Sequence, residues 1–178
     1  MLTDAQAEIY ARLRVREMLT QTTLAITVGM SAIDLPARFL DPESLQDQFR
    51  ADIQLRSPMA LSRMRWTDAN GNFLSGPIGN YAIFAGKLQF DTSSNVNANF
   101  SLIYFEQPAP LSTSNTTNFL TDRYSHLLRA AILKHAYAFR KSWDEAQRYA
   151  AELERLFTTI EVNDDLAGRG LNDPEDFA

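Results

Sequence analysis

The sequence predicts an α+β protein: a helical subdomain built as antiparallel helices from both chain ends, with a central, mainly antiparallel β insertion. Three observations carry this. Apolar residues recur at helical spacing near the N-terminus and again after residue 120, they alternate with polar residues in between, and Gly, Pro and Asn punctuate the alternating stretch.

With 178 residues the chain fits one domain, or one domain with an insertion. A domain of this size buries roughly 70% of its unfolded surface and needs no metal or disulfide to fold. Hydrophobic residues make up 45% and charged residues 22%, as in ordinary globular proteins. The chain has no cysteine, which excludes disulfides and thiolate metal sites and fits a reducing cytoplasm. A net charge of −5 argues against a free-standing, sequence-independent DNA binder, which needs a cationic surface. Met1-Leu2-Thr3-Asp4 opens with neither a positive region nor an apolar stretch, so no signal peptide is expected. No apolar run approaches the roughly 20 residues that span a bilayer, and no membrane partner is expected.

Thr3 to Met18 reads as a helix, with Thr3-x-x-Gln6 as a capping box and Ala5, Ile9 and Leu13 as an apolar stripe widened by Tyr10 and Val15. Glu8, Arg12, Arg14 and Arg16 lie mostly off that stripe. They read either as a solvated face or as a face that meets acidic groups on a partner. Thr23 to Val28 alternates, with Leu24, Ile26 and Val28 on one side, and Gly29 closes the strand. Ile33-Asp34-Leu35-Pro36 is extended, because the residue before proline is pushed out of the helical region. Asp41-Pro42-Glu43 fits the opening of a short helix. Asp52 to Leu55 alternates again and Ser57-Pro58 breaks it; Leu61 to Trp66 fits a helix turn and a strand equally. Asn70-Gly71 marks a turn, and Tyr81–Phe84 with Lys87–Phe90 around Ala85-Gly86 reads as a tight hairpin. Asp91 to Asn99 is polar loop and Phe100 to Phe105 the last strand.

Helical periodicity returns after Pro108-Ala109-Pro110. Leu120, Tyr124, Leu127, Leu128, Ala131, His135 and Phe139 trace one face. Ser142-x-x-Glu145 is a second capping box, and Ala146, Tyr149, Ala150, Leu153, Leu156, Phe157 and Ile160 form the next stripe. The short link Lys141-Ser142 makes the two helices antiparallel neighbours. The predicted organisation is a single domain over 1–162, with a helical lobe (1–20 and 113–162) and a β lobe (22–108). An acidic tail, 163–178, has a composition that leaves it disordered alone, with Gly168 and Gly170 set against regular structure.

The chemistry is mostly negative. Neither a P-loop nor a Gly-x-Ser-x-Gly elbow is present. His126 and His135 lie nine residues apart on one predicted helix; that is roughly 13 Å, too far to share a metal ion. His135 reads as a satisfied core or interface histidine. Asp34, Asp41 and Asp52 fit loop and cap roles better than an acid–base set. Asn115-Thr116-Thr117 matches a glycosylation acceptor but reads as polar linker and helix cap. Tyr81, Phe84, Phe90, Phe100, Tyr104 and Phe105 read as core of the β lobe, the alternative being a ligand platform. No catalytic residue, cofactor or metal site is expected.

An ordered series of pieces from about Thr23 to Ile160 resembles the adaptor, or head–tail connector, proteins of tailed bacteriophages. The pieces are Leu35-Pro36 followed by Phe39; Gly76-Pro77 with Tyr81 and Ile83; Gly86 and Leu88–Phe90; Leu102–Phe105 leading to Pro108 and Leu111; Asn118 with Phe119 and Leu120; Tyr124; and Trp143 with Tyr149. The sequence departs from the family in carrying Asp91-Thr92 where a proline-rich loop is common.

The resemblance implies a structural virion protein made in the host cytoplasm. It implies a ring of about twelve copies beneath the portal, closing through heterologous contacts. Such a ring continues the DNA channel without sequence-specific binding and presents a platform to tail or nozzle proteins. The helical lobe would form the ring and the C-terminal segment would reach the portal, with Asp164, Asp165, Leu166, Arg169, Leu171 and Phe177 as docking side chains. The alternatives are a tail-completion or tail-terminator subunit and a carbohydrate-binding β module. Apolar exposure on helix flanks favours an adaptor, and exposed aromatics on the sheet favour a lectin-like module.

Overall fold

A computed structural model describes residues 1–169, with side chains as far as Asp165. In chain order, helix α1 (Leu2–Arg12) and a short 3-10 turn (Arg16–Met18) precede strands β1 (Leu19–Ile26), β2 (Ala32–Asp34), β3 (Phe39–Gln46) and β4 (Gln54–Leu55). Helix α2 (Pro58–Met64) is followed by β5 (Ser75–Gly76), β6 (Asn80–Phe84), β7 (Lys87–Phe90), β8 (Ser93–Ser94) and β9 (Ala98–Glu106). Helices α3 (Phe119–Asp122), α4 (Ser125–Phe139) and α5 (Trp143–Arg169) complete the series. The fold is α+β as expected, with helices at both ends and an antiparallel-rich centre. It comprises two compact units: Met1–Met18 with the chain after Glu106, and Leu19–Glu106 between them.

In the helical unit α1 packs on α4, and α4 on α5. Ala5, Ile9, Tyr10 and Leu13 are buried as the stripe predicts, together with Leu120, Leu127, Ala131, Leu153 and Phe157. Helix α1 stops at Arg12 rather than running to Met18. Arg14 donates through Nη1 to the carbonyls of Tyr10 (2.9 Å) and Leu13 (2.7 Å), satisfying groups that another helical turn would have used. The expected capping box at Thr3 is not formed, because the helix already begins at Leu2. Gln6 turns instead to the segment after the β unit: its Oε1 accepts from the Leu111 amide at 2.6 Å.

Asn118 supplies the capping box that is present. Its side chain accepts from the amides of Leu120 and Thr121, and the Thr121 hydroxyl accepts from the Asn118 amide. Its Nδ2 also donates to Tyr10 Oη (3.0 Å) and to the Ala109 carbonyl (3.2 Å), so one side chain joins three stretches of chain.

The α4–α5 link closes as a Schellman turn. Ser142 N–H bonds to Tyr137 O, Lys141 N–H bonds to Ala138 O, and Lys141 takes the left-handed position at φ 60°. Helix α5 then runs to Arg169, beyond the expected end at Ile160 and into the span expected to be tail. Arg16 holds it there, donating from Nη2 to the Asp164 carbonyl at 2.6 Å and from its amide to Asp164 Oδ1 at 3.4 Å. Gly168 lies inside the helix, where glycine costs about 1 kcal/mol relative to alanine and does not by itself end it.

In the β unit, β9 is central, flanked by β1 and β3 in antiparallel register. A second sheet has the order β2-β7-β6-β4, in which β4 and β6 run parallel, and β5 pairs with β8, also parallel. Alternation along β9 buries Phe100, Leu102 and Tyr104, which share one core with Ile26, Leu45, Ile53, Tyr81, Leu88 and Phe90. Phe90 stacks on Phe100 and Phe39 on Tyr104, both at 5.5 Å. Asp41-Pro42-Glu43 lies within β3 and opens no helix. Proline is tolerated on an edge strand, and register shifts on both sides of it absorb the irregularity.

Ser57-Pro58 is not a plain break: Ser57 caps α2 by accepting from Ala60 N–H, with Pro58 at the first position. The predicted hairpin forms with Ala85 (φ 51°) and Gly86 (φ 74°) as its two-residue turn. Val28, expected to continue the β1 stripe, lies beyond the strand end and is exposed.

Candidate assembly surfaces

The imagined acid–base set is not assembled. Asp34 pairs with Lys87 at 2.7 Å, Asp52 accepts from Gln46 at 2.9 Å, and Asp41 lies in β3. His135 Nε2 lies 2.9 Å from Glu8 Oε2, and Glu8 also pairs with Lys134, so this histidine is a joint between α1 and α4. His126 lines a polar groove of about 240 Å³ between α4 and α5 with Arg129, Arg148, Tyr149 and Glu152.

The arginines of the first segment do meet acidic groups, and those groups belong to α5 of the same unit. Arg12 pairs with Glu154 and Glu161 and lies over the Phe157 ring at 4.5 Å. The Glu154 carboxylate raises the Arg12 pKa above the usual guanidinium range. Arg16 pairs with Asp164, and Glu17 with Arg123. Among the anticipated docking residues, Asp164 is therefore already engaged within the unit, while Asp165 is exposed on α5. The backbone of Leu166 and Arg169 continues that helix; Leu171 and Phe177 lie outside the described residues.

The aromatics read as core of the β lobe are mostly so: Tyr81, Phe90, Phe100 and Tyr104 are buried, whereas Phe84, the last residue of β6 before the hairpin turn, is exposed. Large aromatic exposure is found beside tight turns. Phe139 and Trp143 flank the Schellman turn at 77% and 63% exposure. Sequence periodicity had put Phe139 on the buried face of its helix, but it occupies the last helical position before the chain reverses. Nearer the middle of the pair, Tyr137 stacks on Tyr149 at 5.5 Å.

In the β unit Phe49 is 80% exposed, in a turn held by Asp47 Oδ1, which accepts from Phe49 N–H and Ala51 N–H at 2.8 Å each. Trp66, 72% exposed, precedes a turn closed the same way by Asp68. Backbone donors, that of Asn72 foremost, hold the Asp68 carboxyl below the usual carboxylate range. Arg65 anchors the base of this turn: it donates to the carbonyls of Phe90 (2.7 Å) and Ser31 (3.3 Å) and lies over Phe73. Burial lowers its pKa.

Sequence reading missed Phe49 and Trp66 as surface features. The available signal was an aspartate that opens a short turn next to a lone aromatic, Asp47-x-Phe49 and Trp66-x-Asp68. Such fixed turns present aromatics at low conformational cost, as contact anchors do.

No helix among the described residues is long and apolar enough to cross a membrane. A search of curated proteins finds no match. A family model described as "SU10 adaptor protein" matches residues 1–173, nearly the whole chain. With a two-unit α+β fold and its exposed aromatics fixed at turns, the chain belongs to the SU10 adaptor protein family, a family of structural phage proteins.

Proposed function

We propose that this chain acts by assembly rather than catalysis. In this reading it forms a ring of about twelve copies beneath the portal, connecting phage head to tail and continuing the DNA channel. The family match over residues 1–173 carries the reading. The exposure of Phe139 and Trp143 at a fixed helical turn supports it, because a contact between copies needs apolar groups on helix flanks. In this reading the end of α5 and the segment beyond it dock on the portal through Asp165, Leu166, Arg169, Leu171 and Phe177. Asp164 contributes by holding the helix end in place through Arg16.

A protein of net charge −5, with Arg12 and Arg16 already matched by carboxylates, lets DNA slide rather than stick. Tail or nozzle proteins would attach to the opposite side of the ring. The completed structure is a virion part, made in the host cytoplasm.

Co-purification with the portal followed by particle imaging tests this. The full chain is expected to form a ring on the portal. A chain truncated after Arg169 is expected to keep its circular dichroism spectrum and lose attachment. Failure of the full chain to assemble on the portal overturns the proposal, and unchanged attachment of the truncated chain overturns the docking role of the last residues.

A further inference from the structure

Strand β1 is an open sheet edge of unusual regularity. All eight of its residues pair one-to-one with β9, without a bulge. Its sequence, Leu-Thr-Gln-Thr-Thr-Leu-Ala-Ile, contains no charge, proline or glycine. In an antiparallel pair every second residue directs its N–H and C=O away from the partner strand. Among the described residues, no backbone hydrogen bond outside the β9 ladder reaches Leu19–Ile26.

The other edges of the β unit are protected. β3, of equal length, carries Asp41, Pro42 and Glu43 and two register shifts. β2 has three residues, ending in Asp34, and β4 has two. Proline, charge, bulges and shortness are the devices by which proteins blunt sheet edges. β1 has none of them, and its inward residues Thr20, Thr22 and Leu24 are only half-buried.

From this we propose that an extended segment of another protein adds to β1 as a fourth strand of the β3-β9-β1 sheet. A row of backbone donors and acceptors is matched by another backbone, so the occupant is a strand rather than a helix face. The segment after Arg169 is a poor candidate, with Gly170, Pro174 and acidic residues at 173, 175 and 176. The edges of a second copy fit poorly as well, being short or blocked, and β1 against β1 gives a two-fold pair that does not propagate around a ring. The partner strand should alternate, with apolar side chains continuing the Thr22–Leu24–Ile26 face and polar ones beside Gln21 and Thr23. This inference rests on the adaptor reading.

Amide exchange on the full-length protein, free and in purified connector-bearing particles, tests it. Assembly is expected to slow alternate β1 amides by at least about tenfold while those facing β9 change little. Photo-crosslinkers at Gln21 and then at Thr23 should attach to partner positions two residues apart. Unchanged β1 exchange in particles that contain the protein overturns the inference and leaves the adaptor reading standing. Outward β1 amides already slow in the free protein, or protection without the two-residue shift, overturn it as well. Absence of the protein from particles overturns both.

Discussion

The two units are held together by different physics. The β unit relies on packed carbon: Phe90, Phe100, Leu102, Tyr104 and their neighbours fill one core between two sheets. The helical unit has an apolar centre too, but its joints are polar and join the beginning of the chain to its end. Gln6 meets Leu111, Tyr10 meets Asn118, Arg12 meets Glu154, and Arg16 meets Asp164. A chain whose termini must clasp across an insertion uses directional contacts to select the right clasp. A sheet with one buried face is already in register through its alternation.

Hollowing out the β core should have the largest effect. Phe90→Ala should cost about 3–5 kcal/mol in urea unfolding. Amide protection should collapse in residues 19–106 before it changes in α4; simultaneous loss in both units would show that they are not separately fastened.

The corresponding experiment in the helical unit is Asn118→Ala, which removes a cap and two tertiary hydrogen bonds and should cost about 2 kcal/mol. Asn118→Asp keeps the accepting oxygen but cannot donate to Tyr10 or Ala109, and should recover part of that loss. If the aspartate variant matches wild type, the tertiary bonds contribute nothing.

Salt should separate the two units. Raising ionic strength to about 1 M screens exposed ion pairs worth at most about 1 kcal/mol each. It should therefore lower the midpoint of the helical unit more than that of the β unit, read by amide exchange. Alkali should not discriminate between them. Burial raises the tyrosine pKa values of Tyr10 and Tyr124 in one unit and of Tyr81 and Tyr104 in the other. Their folded forms hold the proton longer than the unfolded chain, whose tyrosines ionise near 10. The stability they contribute is full below that pH and is lost as the pH climbs through the raised values. Ellipticity and tyrosinate absorbance should therefore change together above about pH 10.

The smallest expected effect is a gain. Lys141→Gly relieves a left-handed residue in the Schellman turn and should stabilise the helical unit by roughly 0.5–1 kcal/mol. A loss instead would mean that the Lys141 side chain has a packing role.

Much of the fold was legible where local chemistry and tertiary demand agree. The β6–β7 hairpin, the alternation of β9 and the stripes of α4 and α5 are all readable because nearby residues set them. The assembly surfaces were legible only in part. Phe139 fits the apolar period of its helix, and only the point at which the chain turns leaves it in solvent. Asp41-Pro42-Glu43 has the pattern of a helix start, yet β9 recruits it as an edge strand, because pairing six residues of β3 outweighs a local cap signal. The parallel pairs β4–β6 and β5–β8 join strands of two residues, too short to show any period.

By itself the sequence determined the class of the protein: helices at the ends, sheet between, Asn118 opening the late helices, and an order of pieces that marks a phage adaptor. These rest on contacts between near neighbours and on the period of apolar residues, which any reader of the chain possesses. Tertiary structure alone decided how far α5 runs and which charges are already matched. Arg12 pairs with Glu154, 142 residues away, and Arg16, 148 residues from Asp164, holds α5 beyond its apolar stripe. Such contacts form only once the chain has closed, so no local pattern announces them.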